Sequence, residues 1–379
     1  MKKLLLIFIL ITIVFGYLLT REEQQNKILN KVFTFTQPSR QTPTSNRTQE
    51  KVVILAENLD TPWGMVFLPN SEILFTERPG RIRLINKDGK LVEEPIATIF
   101  SVKEIGEGGL LGITIHPDYS QNHFVYLYYT YSQNSSNTLN RVVRITLSDK
   151  KLINEKIIID RIPGASNHNG GRIKFGPDKM LYVTTGDAQE PSQSQDRNSL
   201  AGKILRARDD GQTPTDNPFN NLVFSYGHRN PQGLAWYRNG RLWSTEHGRS
   251  GIRSGFDELN LIEKGKNYGW PTIEGDEEQT DMETSKKNSG NTTWAPAGSD
   301  FIDNSLFFAG LRGQALYEAI IDGDQVKEVK EHLKNQYGRI REVVKGPDNM
   351  LYISTSNQDG RGSPDDTDDK IIRINPQKL

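Results

Sequence analysis

One phrase recurs along this chain and constrains its fold more than any other feature. Phe175-Gly176-Pro177-Asp178-Lys179-Met180-Leu181-Tyr182-Val183-Thr184-Thr185 returns as Lys345-Gly346-Pro347-Asp348-Asn349-Met350-Leu351-Tyr352-Ile353-Ser354-Thr355. Looser copies begin at Phe67 and Tyr237. Each reads as a strand, a tight turn on Pro, Asn, Asp or Gly, and a second strand of β-branched and aromatic residues. Units repeating about every 50 to 60 residues, each burying its faces only against its neighbours, build a propeller. The turn-strand phrases centre near residues 70, 120, 180, 240, 310 and 350, so the expected fold class is all-β, a six-bladed β-propeller. The second strands end in Glu77-Arg78, Gly186-Asp187, Glu246-His247-Gly248 and Asn357-Gln358-Asp359-Gly360. Polar groups at the same place in every repeat converge on one face, and a site is expected there.

Bulk composition narrows the partners. Lys and Arg total 47 against 47 Asp and Glu, and no basic run interleaves with aromatics, so a nucleic-acid partner is not expected. Cysteine is absent, which removes disulfides, thiolate nucleophiles and Cys-ligated zinc.

Met1-Lys2-Lys3 precedes a largely apolar stretch from Leu4 to Leu19, then Arg21-Glu22-Glu23. A basic start with a short hydrophobic segment matches a secretory signal. No small-x-small cleavage site follows, and the run is slightly short for a bilayer span. Residues 1–20 therefore read as a signal peptide or an uncleaved signal-anchor, with a buried core helix as the bland alternative. Residues 21–50 are polar, carry Pro38 and Pro43, and read as a tether. The propeller is expected over 51–379. Both favoured readings place it outside the cytoplasm (periplasmic, at the cell surface or secreted), touching membrane only through the N-terminal segment.

Several clusters could carry chemistry. His168 lies in Ser166-Asn167-His168-Asn169-Gly170-Gly171-Arg172, just before a blade strand, and Asp187 follows less than twenty residues later. A His beside a carboxylate suits a general base, because the acid fixes the tautomer and stabilises the imidazolium. The alternative is a His that caps a turn and an Asp in an Asx-turn. Gly227-His228-Arg229-Asn230-Pro231-Gln232-Gly233 gathers donors for oxyanions or quinone carbonyls, or is a well-satisfied loop. Arg339 and Arg341 stand at i and i+2, on one side of an extended strand. Two such charges need an anion or carboxylates to neutralise them. Asp257-Glu258-Leu259-Asn260, followed by Asn267-Tyr268-Gly269-Trp270-Pro271, combines carboxylates with a Gly-rich turn, as hard-oxygen calcium sites do. Glu274 to Ser299, rich in Asp, Glu, Lys, Asn and Gly, reads as a loop insertion on a face. Asp365-Asp366-Thr367-Asp368-Asp369 reads as a solvated acidic turn rather than a metal loop.

Taken in order, these phrases resemble the pyrroloquinoline-quinone-dependent sugar dehydrogenases of the glucose/sorbosone dehydrogenase family, most closely the aldose sugar dehydrogenases. The likeness also runs through Thr61-Pro62-Trp63-Gly64-Met65, Glu107-Gly108-Gly109-Leu110-Leu111-Gly112-Ile113 and His116-Pro117-Asp118, and spans residues 52 to 376. It implies a quinone cofactor in a cleft on one face, a small aldose substrate and an external electron acceptor. By the family's pattern His168 is the base, assisted by Asp187, and Arg229 steadies developing negative charge on the cofactor. Asn230 holds a quinone oxygen, and Arg339 and Arg341 pair with cofactor carboxylates. Glu107 lies near substrate and cofactor. The pattern places one calcium on the carbonyls of Gly248 and Arg249, and a structural calcium on Glu258 and the carbonyl of Tyr268. Two departures stand out: Arg249 replaces a usual proline, and Arg312 stands where glucose-active members have a lysine that contacts the quinone. Two other readings remain open: a non-catalytic propeller binding module, and a calcium-dependent lactonase-type hydrolase.

Overall fold

The computed structural model describes residues 50–132, 138–251 and 254–379. The segment read as signal or anchor, and the tether up to residue 49, lie outside the described residues. Among the described residues no helix is long and apolar enough to cross a membrane.

The strands assemble into six four-stranded sheets. The first strand of each blade is Pro62–Phe67, Leu110–Ile115, Ile173–Phe175, Pro231–Trp236, Pro296–Ile302 and Ile340–Lys345 in turn. First strands of neighbouring blades touch at five of the six junctions, and at the sixth Pro231–Trp236 meets the second strand of blade three, so they form the inner ring of a closed six-bladed propeller. Blades one to five are antiparallel meanders of consecutive strands. Blade six takes three strands from the C-terminal end, and Val52–Ala56 pairs with Ile371–Ile374 as its fourth. The two ends of the propeller sequence thus close the circle in one sheet.

The core lies between blades. Tyr126, Tyr128 and Val142 of blade two pack on Leu181, Val183 and Leu205 of blade three, all fully buried. Burying side chains of this size stabilises by about 1.5–3 kcal/mol each. The recurring phrase is the hairpin between first and second strands, and its chemistry repeats atom by atom. Ser71, Lys179, Gly240 and Asn349 all take positive φ, between 58° and 82°. The residue before each accepts a backbone N–H two positions on: Asn70 from Glu72, Asp178 from Met180, Asn239 from Arg241 and Asp348 from Met350. This is an Asx-turn, which short polar side chains favour. Asp178 also accepts from Tyr182 and Arg206, and Asp348 from Tyr352 and Arg373, at 2.9–3.1 Å.

Two expectations need correction. The stretch from Glu274 to Ser299 is not wholly a loop insertion. It supplies the outer strand of blade four, Lys287–Asn288, which pairs with Glu258 and Leu259, and then begins the inner strand of blade five. An outer strand of two polar residues carries no hydrophobic alternation to reveal it. The acidic run is not wholly solvated either, because Asp368 is 6% and Asp369 0% exposed. Asp368 pairs with Lys370 at 2.8 Å, and Asp369 accepts from the Thr355 hydroxyl at 3.0 Å and the Asn357 N–H.

Candidate active site

In a propeller hairpin the start of the first strand and the end of the second lie on the same face. The sequence places Arg229, Gln232, Arg339 and Arg341 at strand starts and His247 and Arg312 after strand ends. Their side chains line one cavity of about 450 Å³, together with Glu107, His168, Asp257, Arg361 and the loop around Gly248 and Arg249. Not every polar strand end serves it. Glu77 is 1% exposed and is taken up by Arg81 and Arg83 of its own blade.

His168 and Asp187 meet in this wall, with Nδ1 2.7 Å from Oδ1. Asp187 is fully buried, and its other oxygen accepts from the Trp270 indole N–H at 2.9 Å. The carboxylate is thereby aimed at the imidazole, leaving Nε2 for chemistry. His168 has φ 59°, the left-handed region, which costs an ordinary residue about 1–2 kcal/mol. Gly186 makes room for this conformation, since a Cβ there would lie 2.0 Å from the His168 carbonyl oxygen.

Glu107 supports the same segment. Its Oε2 accepts the His168 N–H at 3.0 Å, and its Oε1 pairs with Arg361. Burial opposes ionisation of Glu107, but His247, Arg361 and the His168 N–H outweigh it and hold the carboxyl at about 2. Burial pushes His247 down to about 4, against Asp257 and Glu107. Near neutral pH the imidazole is therefore uncharged, and Arg361 supplies the positive charge beside Glu107.

The rest of the wall is cationic. Among the described residues, Arg229, Arg249, Arg312, Arg339, Arg341 and Arg361 line the cavity with the carboxylates Glu107 and Asp257. Arg229 donates to Ser250 Oγ at 2.9 Å, and burial lowers its pKa. Burial likewise pushes Arg341 down to about 10. Arg312 donates to Ser254 Oγ at 2.9 Å. Arg339 and Arg341 do lie side by side, but an internal carboxylate sits between them: Asp359 takes Arg339 at 2.8 Å and Arg341 at 3.4 Å. The need for a neutralising anion read from the sequence is thus half met within the chain, and one of the two charges remains uncompensated.

A binding role follows from what these groups lack. Nε of Arg229, Arg249 and Arg341, Nδ2 of Asn230 and Nε2 of His247 are buried with no partner among the described residues. An unmatched buried donor costs about 1–3 kcal/mol. A wall holding several is complementary to a ligand rich in acceptor oxygens, and a planar quinone bearing carboxylates fits that description.

The expected calcium ligands lie in two places. The Gly248 N–H donates to Asp257 at 2.9 Å, and Arg249 O accepts a long 3.3 Å bond from Gly255 N. A carbonyl has two lone pairs, so one stays available. Glu258 is half-buried, and desolvation with the neighbouring Glu246 pushes its carboxyl up to about 8. Two carboxylates facing each other across neighbouring strands favour a cation between them. The Tyr268 ring stacks on His228 with centroids 4.7 Å apart. Among the described residues no three His, Cys, Asp or Glu side chains converge as metal ligands, so either cation would rely on main-chain oxygens.

Sequence reasoning did not single out Asp359, Arg361, Trp270 or His247, although all four fall within or beside quoted phrases. Their partners are distant in the chain, and no local spacing reports them.

Comparison with known proteins identifies the family. The profile of the glucose/sorbosone dehydrogenase family matches residues 59–372. The chain is 30% identical to aldose sugar dehydrogenase YliI of Escherichia coli, over 86% of this chain and 93% of that one. It superposes on the quinone-bound aldose sugar dehydrogenase of Streptomyces coelicolor with TM-score 0.79 and 37% identity, covering 85% of this chain and 97% of that one. A putative glucose dehydrogenase of Thermus thermophilus gives TM-score 0.80 and 41% identity, at 85% and 98% coverage. With the family profile spanning all six blades and the wall of the cavity, the chain belongs to the glucose/sorbosone dehydrogenase family.

Proposed function

We propose that this protein oxidises the anomeric hydroxyl of an aldose to the lactone, using pyrroloquinoline quinone and calcium. The observation that carries the reading is the His168–Asp187 pair set beside a cavity lined by arginines, three of which (Arg229, Arg249 and Arg341) keep a buried Nε with no partner among the described residues. The quinone, when bound, supplies a two-electron acceptor for the hydride leaving the anomeric carbon. His168 Nε2 takes the proton of the anomeric hydroxyl as that hydride departs. Asp187 keeps the other ring proton on Nδ1 and stabilises the imidazolium that forms. Arg229 and Asn230 would hold quinone oxygens, and Arg312, Arg339 and Arg341 its carboxylates. Carbonyls of Gly248 and Arg249 would hold a calcium ion near it, and Glu258 with the Tyr268 carbonyl a structural one. A wall of arginines, rather than a ring of carboxylates about a central cation, favours this reading over a lactonase-type hydrolase.

The N-terminal sequence supports a body outside the cytoplasm, passing electrons to an external acceptor. The test is to titrate the purified protein with quinone and calcium, then follow dye reduction across a panel of aldoses. Sugar-dependent reduction is expected, lowered by about 10²–10⁴-fold in His168→Ala and abolished by chelation. A protein that binds quinone but reduces no dye with any aldose refutes the reading.

A further inference from the structure

The loop between the strands Leu351–Thr355 and Ile371–Ile374 of blade six carries Arg361 to the mouth of the cavity. Its side chain is 51% exposed, yet its guanidinium is committed on both arms. One nitrogen pairs with Glu107 Oε1 and another with Asn167 Oδ1. These partners flank His168 from two directions. Asn167 is the preceding residue, and Glu107 grips the His168 N–H through its second oxygen at 3.0 Å. The Glu107 N–H in turn donates to Ser166 O at 2.7 Å.

A residue held at φ 59° without being glycine needs its surroundings to fix it there. Glu107 is the only side chain to accept the His168 N–H among the described residues, and it does so as an ionised group, which makes the stronger bond. Arg361 supplies charge beside that carboxylate and ties the Asn167 side chain to the same point. The loop that carries it is itself anchored. Asp359 accepts the Arg361 N–H at 2.9 Å while holding Arg339 at 2.8 Å.

We propose that Arg361 is a positioning residue for His168, acting through Glu107 and Asn167 to hold the base in the left-handed conformation that presents it to Asp187. The proposal rests on His168 being the base. It assigns Arg361 no contact with the sugar, so its loss reduces turnover rather than substrate binding.

The test compares wild type with Arg361→Ala, Arg361→Gln and Arg361→Lys. On the enzyme loaded with quinone and calcium, Arg361→Ala is expected to lower kcat by about 10- to 100-fold with little change in KM, and Arg361→Lys to recover part of the loss. On the protein without cofactor, amide exchange over residues 166–170 should rise in the Ala and Gln variants while Tm stays near that of wild type. A rise in KM with unchanged kcat would make Arg361 a substrate contact and overturn the proposal. So would unaltered exchange over 166–170. His168→Ala, run in parallel, separates the two ideas: if it keeps wild-type turnover the base assignment fails, whereas the exchange result bears on Arg361 alone.

Discussion

At the scale of single residues, the site depends on carboxylates that serve other side chains rather than a ligand. Asp187 aims His168, Glu107 holds its backbone, and Asp359 holds Arg339 and Arg341. Burial raises the cost of ionising Asp359, but Arg341 and Arg339 outweigh it and set its carboxyl below the ordinary 3.8. Because the folded value lies below the unfolded one, the stability it contributes is complete above about pH 4 and is lost as pH falls through the folded value. Wild-type Tm should therefore fall steeply below about pH 4, and Asp359→Asn should start lower at neutral pH and fall less. Parallel Tm–pH curves for the two proteins would contradict this. The sequence made His168, Asp187 and the arginine pair legible because each stands in a distinctive local phrase. It did not reveal Asp359 as the arginines' partner, since Asp359 stands in one of several polar strand ends and nothing local marks which of them turns back onto Arg339 and Arg341.

At the scale of strands and turns, the repeat was legible because its turn is chemical. Asn70, Asp178, Asn239 and Asp348 close the same Asx-turn before the same positive-φ residue. Such turns need particular side chains, so the sequence displays them. Outer strands need none, and Lys287–Asn288 passed as loop for that reason. The closing strand Val52–Ala56 is a sharper case, because only its pairing with Ile371–Ile374 makes it part of a blade. A chain starting at residue 57 should melt about 10 °C below one starting at residue 50, since it loses that ladder and the burial of Ala56. Equal melting temperatures would mean that the strand does not close the ring.

At the scale of the whole molecule, a chain with 47 positive and 47 negative side chains concentrates positive charge in one cleft. Neutrality overall and a cationic cavity are compatible because the acidic residues are spent elsewhere, on strand ends such as Glu77 and on the buried Asp368 and Asp369. A cleft of one sign steers an oppositely charged ligand, and salt screens that attraction. The association rate of the quinone should accordingly fall by about 10-fold between about 0.05 M and about 0.5 M salt, as stopped-flow measurement would show. A salt-independent rate would mean that the arginines are already neutralised within the chain.

The sequence by itself determined the blade unit, the count of six and the face on which its polar strand ends gather. Those follow from local rules, the period of the repeat and the chemistry of its turns, which a linear chain displays in full. Only the tertiary structure decided which polar strand ends reach the cavity, which carboxylate lies between Arg339 and Arg341, and that Arg361 crosses the mouth to Glu107. These are contacts between residues as many as 254 apart in the chain. Strand pairing within blade six brings Asp359 to the two arginines and ring closure brings Arg361 to Glu107, and no local pattern encodes which of several equally polar groups will meet.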